Sequence, residues 1–147
     1  EIHDISDLLF GIFFEDINFA ADGGLYAEMT VNRSFEFTDL AVNDALYGWN
    51  NVGGATLEVK KNEADCLNAN NPNYLVITNE SNTPAGVENV GFLDGMAIKE
   101  NEKYNFSVYA KGLDGYDGGI TVRLCSGGAA VAEGRIDAID WLVHNST

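Results

Sequence analysis

The chain is poor in positive charge. Eight Lys and Arg stand against 23 Asp and Glu in 147 residues, a formal net charge of -15. Such a surface repels nucleic-acid phosphates and anionic lipid, which argues against both as partners. Cysteine is scarce. Cys66 and Cys125 belong to no CxxC pair, so a zinc site is not indicated. A disulfide between them stays open, although a chain of this length does not need one to fold. No apolar run reaches the roughly 18 residues of a membrane helix. The start, Glu1-Ile2-His3-Asp4, has neither the basic region nor the small-residue cleavage site of a signal peptide. A signal removed upstream would be equally consistent, so secreted and cytoplasmic locations both remain open. There is no repeat, no low-complexity tract and no amphipathic helix of useful length after Phe37.

Apolar content is ample, at 46%, which is enough for a sizeable core. The acidic residues are dispersed, as on a solvated surface. Neutral ligands such as sugars are compatible with that surface, though not implied by it. The opening run Leu9-Phe10-Gly11-Ile12-Phe13-Phe14-Glu15-Asp16-Ile17-Asn18 is nearly continuous apolar sequence with an abrupt acidic end. This pattern predicts a strand buried on both faces that delivers a carboxylate to its C-terminal rim. Parallel barrels place their chemistry at that rim.

After Phe37 the chain changes character. Residues 56–60 alternate, with Leu57 and Val59 on one face. Residues 74–78 form a β-branched run. Residues 104–111 alternate most cleanly, with Tyr104, Phe106, Val108 and Ala110 inward. Ile120, Val122 and Leu124 repeat the pattern, and residues 131–139 form a weaker candidate. Period two with one solvated face predicts antiparallel sheet. Turn signals punctuate these runs at Asn71-Pro72, Thr83-Pro84, Asp94-Gly95, residues 112–115 and Ser126-Gly127-Gly128. Their spacing suits a β-sandwich. A short helical turn is expected around Leu25 to Met29.

The opening run, followed by Gly23-Gly24-Leu25-Tyr26-Ala27-Glu28 and then Asn32-Arg33-Ser34-Phe35-Glu36, resembles the start of α-L-arabinofuranosidases of glycoside hydrolase family 51, of the plant and gut-bacterial type. The resemblance continues through residues 86–98 and 103–111. These are similar to the β-sandwich inserted after the Asn-Arg-Ser-Phe-Glu word, a module like carbohydrate-binding families 4 and 9. It implies a mostly β chain. Residues 1–36 would be the isolated first strand and Gly-rich turn of a (β/α)8 barrel. Residues 37–147 would be an antiparallel jelly-roll, galactose-binding-like sandwich, truncated at its C-terminus. The chain is then expected to be an N-terminal fragment of a retaining enzyme acting on arabinan or arabinoxylan. The remaining barrel is its implied partner, and catalysis by this chain alone is not expected. The alternative is a stand-alone, non-catalytic carbohydrate-binding or structural sandwich.

Within that resemblance, Glu15 is implied to contact arabinose hydroxyls, being neither nucleophile nor acid/base. A carboxylate accepts two hydrogen bonds from vicinal hydroxyls, which suits the residue type. The alternative is a solvent-facing acid at a strand end. Asp16 and Asn18 either support the rim or form a turn. Retaining glycosidases use two carboxyl groups about 5–5.5 Å apart. Glu15 and Asp16 fail as that pair, because adjacent strand residues point to opposite faces. Asn79-Glu80 mimics the family's acid/base word, but it lies among sandwich strands and reads as a polar turn. No catalytic residue is therefore assigned.

Tyr47, Trp49, Tyr116 and Trp141 lie in or beside predicted loops and are candidates for stacking on sugar, with core filling as the alternative for each tryptophan. Asp114 and Asp117 offer oxygen ligands to a structural calcium, the one cofactor considered, but a turn explains them equally well. His3 and His144 lie near the termini and read as terminal histidines. Asn32-Arg33-Ser34 and Asn145-Ser146-Thr147 fit the N-glycosylation pattern. The apolar run at residues 8–14, lacking barrel neighbours, is expected to pair onto the sandwich, pair with a second copy in a homo-oligomer, or stand exposed.

Overall fold

The computed structural model describes Glu15, residues 19–37, 44–62, 64, 66–93 and 95–137, and the backbone of residues 143–146. Among these residues there are eight strands and no α-helix. The strands are β1 (Trp49–Val52), β2 (Thr56–Lys61), β3 (Asn73–Thr78), β4 (Gly86–Asn89), β5 (Asn105–Val108), β6 (Ile120–Ser126), β7 (Ala129–Ile136) and β8 (Val143–Ser146). They pair into four two-stranded antiparallel sheets. The chain divides into two compact units, Glu1–Ala97 and Ile98–Thr147.

In the first unit, the alternation of β2 leaves Leu57 and Val59 half-buried and Glu58 and Lys60 exposed. β3 sets Ile77 opposite Leu57 and Leu75 opposite Val59. Such aliphatic cross-strand pairs contribute roughly 0.2–1 kcal/mol each. β1 and β4 enclose this pair in chain order, with Trp49 opposite Asn89 and Val52 opposite Gly86. The buried apolar residues described in this unit are Val31, at 1% exposure, and Ala55.

The second unit repeats the nesting. β5 and β8 form the outer pair, and β6 and β7 the inner hairpin. Gly127 and Gly128 join β6 to β7, both with positive φ, at 56° and 82°. A two-residue loop with positive φ at both positions matches the right-handed twist of its strands. Ile120 faces Ile136 and Leu124 faces Ala132, but Cys125 faces Ala130. Val131 is therefore the extra residue of a β-bulge, and it is 62% exposed, in a part of β7 where its neighbours Ala130 and Ala132 are also open to solvent. On the other face Arg123 Nε donates to Glu133 Oε2 at 2.6 Å.

The predicted alternation in β2 and β6 is observed, and β7 covers most of the weaker candidate. Two expectations need correction. The clean run at residues 104–111 pairs only over Asn105–Val108, and Phe106 is 41% exposed rather than inward. Its strand is paired only with β8 among the described residues, so a two-stranded ribbon covers it poorly. Trp49 is the first residue of β1 and directly follows the turn at residues 45–48. β8 is a strand that no alternation in the sequence marks. The turn in the Gly-rich word spans residues 20–26, not Leu25 to Met29, because the Leu25 and Tyr26 amides donate back to the Ala20 and Ala21 carbonyls. The predicted strand at residues 8–14 and the Asp94 turn position lie outside the described residues. No disulfide joins Cys66 to Cys125.

Candidate functional site

Glu15 is exposed. Asp16, Asn18 and Trp141 lie outside the described residues. Beyond Glu15 the chain is held by ring contacts. Phe19, at φ 62°, meets Phe92 edge-on with centroids 5.1 Å apart. A non-glycine residue in this left-handed region is uncommon and costs energy unless its surroundings hold it. Gly23 lies so close to the same Phe92 ring that a Cβ there would sit 2.9 Å from it. The Gly23 amide donates to the Tyr26 carbonyl at 2.9 Å, closing the turn.

Arg33 gathers the acids of the Gly-rich word. Its Nη1 lies 3.2 Å from both Asp22 Oδ1 and Glu28 Oε2, and its guanidinium sits 4.8 Å from the centre of the Tyr26 ring. Glu28 Oε1 also accepts from the amides of Thr30 at 2.8 Å and Met29 at 2.9 Å. Burial opposes ionisation of Glu28, but the Thr30 amide, the Arg33 guanidinium and the Met29 amide outweigh it. Its pKa therefore falls below the usual glutamate value. Burial likewise opposes the charge of Arg33, yet Glu28 and Asp22 raise its pKa further.

Three asparagines tie the next residues to the strands. Asn89, the last residue of β4, accepts from the Val31 amide at 3.1 Å and donates to the Val31 carbonyl at 2.9 Å. Its carboxamide thus does for Val31 what a neighbouring strand would do. Asn32 is 4% exposed. Its Nδ2 donates to the carbonyls of Ala45 at 2.9 Å and Tyr47 at 3.1 Å, and its Oδ1 accepts from the Glu36 amide at 3.0 Å. Asn73 donates to the Phe35 carbonyl at 3.0 Å. Buried amides persist when their donors and acceptors are met in this way. With both its side-chain hydrogens engaged and the residue buried, Asn32 is not presented as a free acceptor for glycosylation in the folded chain. The side chain of Asn145 lies outside those described.

The aromatic candidates separate by environment. Trp49 is half-buried, its indole Nε1 donates to the Asn32 carbonyl at 3.0 Å, and its ring packs on Phe35 at 5.3 Å. Tyr47 is half-buried and stacks on Phe37 at 5.2 Å, the planes 4° apart. Tyr116 is 56% exposed. Its amide donates to the Leu113 carbonyl at 3.0 Å and its hydroxyl to the Gly119 carbonyl at 2.9 Å. A Cβ on Gly118 would lie within 3.0 Å of the Tyr116 ring, so the ring rests on bare backbone. Asp114, at φ 53°, and Asp117 are exposed beside it. Among the described residues no group of three or more His, Cys, Asp or Glu assembles as a metal site. Asn79 bonds the Ser81 amide and the Thr83 carbonyl in a turn after β3, and Glu80 is exposed next to it.

The buried asparagine network escaped the sequence reading. In sequence Asn32 belongs to a motif word and a glycosylation pattern, and Asn89 to the stretch at residues 86–98 that resembles the inserted module. Nothing local in sequence shows that residues 58 positions apart, Val31 and Asn89, meet through a side chain.

The chain is similar to α-L-arabinofuranosidases. It is 38% identical over 147 residues to an extracellular exo-α-L-arabinofuranosidase of Streptomyces chartreusis, an alignment covering 97% of this chain and 17% of that protein. It is 30% identical to α-L-arabinofuranosidase 2 of Arabidopsis thaliana, over 93% of this chain and 22% of the relative. It is 34% identical to α-L-arabinofuranosidase A of Aspergillus niger, over 81% and 18%. No protein-family model matches the chain, and no solved structure does. The chain spans about a fifth of the length of these curated relatives, and over that span it is homologous to α-L-arabinofuranosidases.

Proposed function

We propose that this chain supplies the sugar-contact strand and the β-rich module of a retaining α-L-arabinofuranosidase acting on arabinose-containing plant polysaccharides. One observation carries this function: 97% of the chain aligns at 38% identity with an exo-α-L-arabinofuranosidase. In this role Glu15 accepts hydrogen bonds from adjacent arabinofuranose hydroxyls, Asn18 is a second sugar-contact residue, and both catalytic carboxylates come from outside these 147 residues. The strands that follow residue 36 act as a sandwich of the carbohydrate-binding family 4 and 9 kind. The 147-residue chain is then expected to leave 4-nitrophenyl α-L-arabinofuranoside intact. Turnover by the purified chain that disappears in Glu15→Gln or Glu80→Gln would overturn the proposal.

The geometry of Tyr116 favours a second role, carbohydrate binding by the module itself. Its ring is fixed at backbone and hydroxyl, backed by Gly118 and widely exposed, so stacking on a sugar ring costs little side-chain entropy. Asp114 and Asp117, exposed near this ring, carry carboxylates that can accept sugar hydroxyls; calcium is the other ligand suited to such carboxylates. Calorimetry with arabinoxylan and arabinan oligosaccharides, with and without EDTA, tests this role. Saturable binding that Tyr116→Ala abolishes supports it. Binding unchanged in that variant, or no binding, overturns it, and loss on adding EDTA identifies calcium as part of the site.

A further inference from the structure

Residues 19–31 follow Glu15 and are held at both ends by residues from one short stretch. At the front, Phe92 takes the edge of Phe19 at 5.1 Å and presses on Gly23. At the back, the Asn89 carboxamide bonds both the amide and the carbonyl of Val31. Asn89 and Phe92 are three residues apart, and the stretch between them is stiff. Asn89 Oδ1 also accepts from the Gly91 amide at 3.0 Å. Gly91 is buried at φ 71°, with Gly95 and Met96 backbone within 3 Å of where a Cβ would lie. Between the two anchors, Arg33 binds Asp22 and Glu28 from the same segment.

We propose that Asn89 and Phe92 form a clamp at the exit of β4 that sets the position of Glu15, four residues ahead of Phe19. They are positioning residues that act through residues 19–31. The exit of the β1–β4 ribbon then braces the segment that leads from the sugar-contact strand. Its bearing on sugar rests on the role proposed for Glu15, whereas the clamp does not.

Amide hydrogen exchange on the 147-residue chain tests the clamp. Asn89→Ala is expected to speed exchange at Val31 and Gly91 by about tenfold, as for loss of one hydrogen bond. Phe92→Ala is expected to do the same across residues 19–26. In both variants β6 and β7 keep their protection. Asn89→Asp, which retains the acceptor oxygen, is expected to recover part of the protection at Val31. Unchanged exchange at Val31 and residues 19–26, or acceleration that extends equally to β6 and β7 with no recovery in Asn89→Asp, overturns the clamp. Positioning is read in a full-length arabinofuranosidase bearing this stretch, where Phe92→Ala should raise KM for an aryl arabinofuranoside at least fivefold and change kcat less. A KM that rises in Glu15→Gln but not in Phe92→Ala overturns positioning by the clamp. A KM unmoved by Glu15→Gln overturns the sugar role of Glu15 and leaves the exchange result standing.

Discussion

Gly48 shows how little room single positions have. It adopts φ 79°, and a Cβ there would overlap Val31 Cγ1. Its carbonyl also accepts from the Val90 amide at 3.0 Å. Left-handed backbone costs a residue with a Cβ roughly 1–2 kcal/mol, and overpacking a core site costs about 1–3 kcal/mol more. Gly48→Ala is therefore expected to destabilise the first unit by about 2–5 kcal/mol, measured by urea unfolding. A loss below about 0.5 kcal/mol would show that Val31 is not packed there. Glu28 carries a pH dependence. Its pKa in the folded chain is depressed, so it adds stability above its unfolded value near 4.5, and that stability is lost as pH falls through the lower folded value. Glu28→Gln should flatten the stability profile below pH 4.5 and have its largest destabilising effect at neutral pH. An unchanged slope would exclude Glu28 as the group responsible.

At the scale of elements, β6–β7 is the hairpin most fully specified by local sequence. Ile120, Val122 and Leu124 are half-buried, the Gly127–Gly128 loop suits the twist, and Arg123 faces Glu133. The ion pair is half exposed on both sides, so solvent screens it strongly. Glu133→Ala is expected to cost less than about 1 kcal/mol in low salt and almost nothing in 1 M NaCl. A large loss that persists in high salt would mean that Glu133 does more than pair with Arg123. The outer pairs β1–β4 and β5–β8 differ in kind. Each brings together strands separated by a whole hairpin, and β1 and β8 lacked any alternation that would have marked them in sequence. Trp49 and Asn89 become neighbours only through that long-range pairing.

Across the whole chain, the same connectivity occurs twice, an outer antiparallel pair enclosing an inner one in each compact unit. Between them, residues 96–104 carry no strand, and Lys99 and Lys103 are exposed. Trypsin is expected to cut first after Lys99 or Lys103, giving two products that mass spectrometry resolves. First cuts after Lys60 or Lys61, within β2, would mean that the ribbon is less stable than the connection.

The sequence by itself determined the antiparallel character, the inward set of β2 and β6, the turn at Gly127 and Gly128, and the likeness to α-L-arabinofuranosidases. These depend on residues close in the chain: alternation, turn chemistry and long motif words are local properties. Tertiary structure alone decided that Asn89 serves as a strand for Val31, that Asn32 is buried and fully bonded, that Trp49 turns its N–H to Asn32, and that Tyr116 keeps an exposed ring. An asparagine reads in sequence as a turn or surface residue. Its value as a buried donor and acceptor exists only once distant backbone groups have been brought within 3 Å or so and cut off from water.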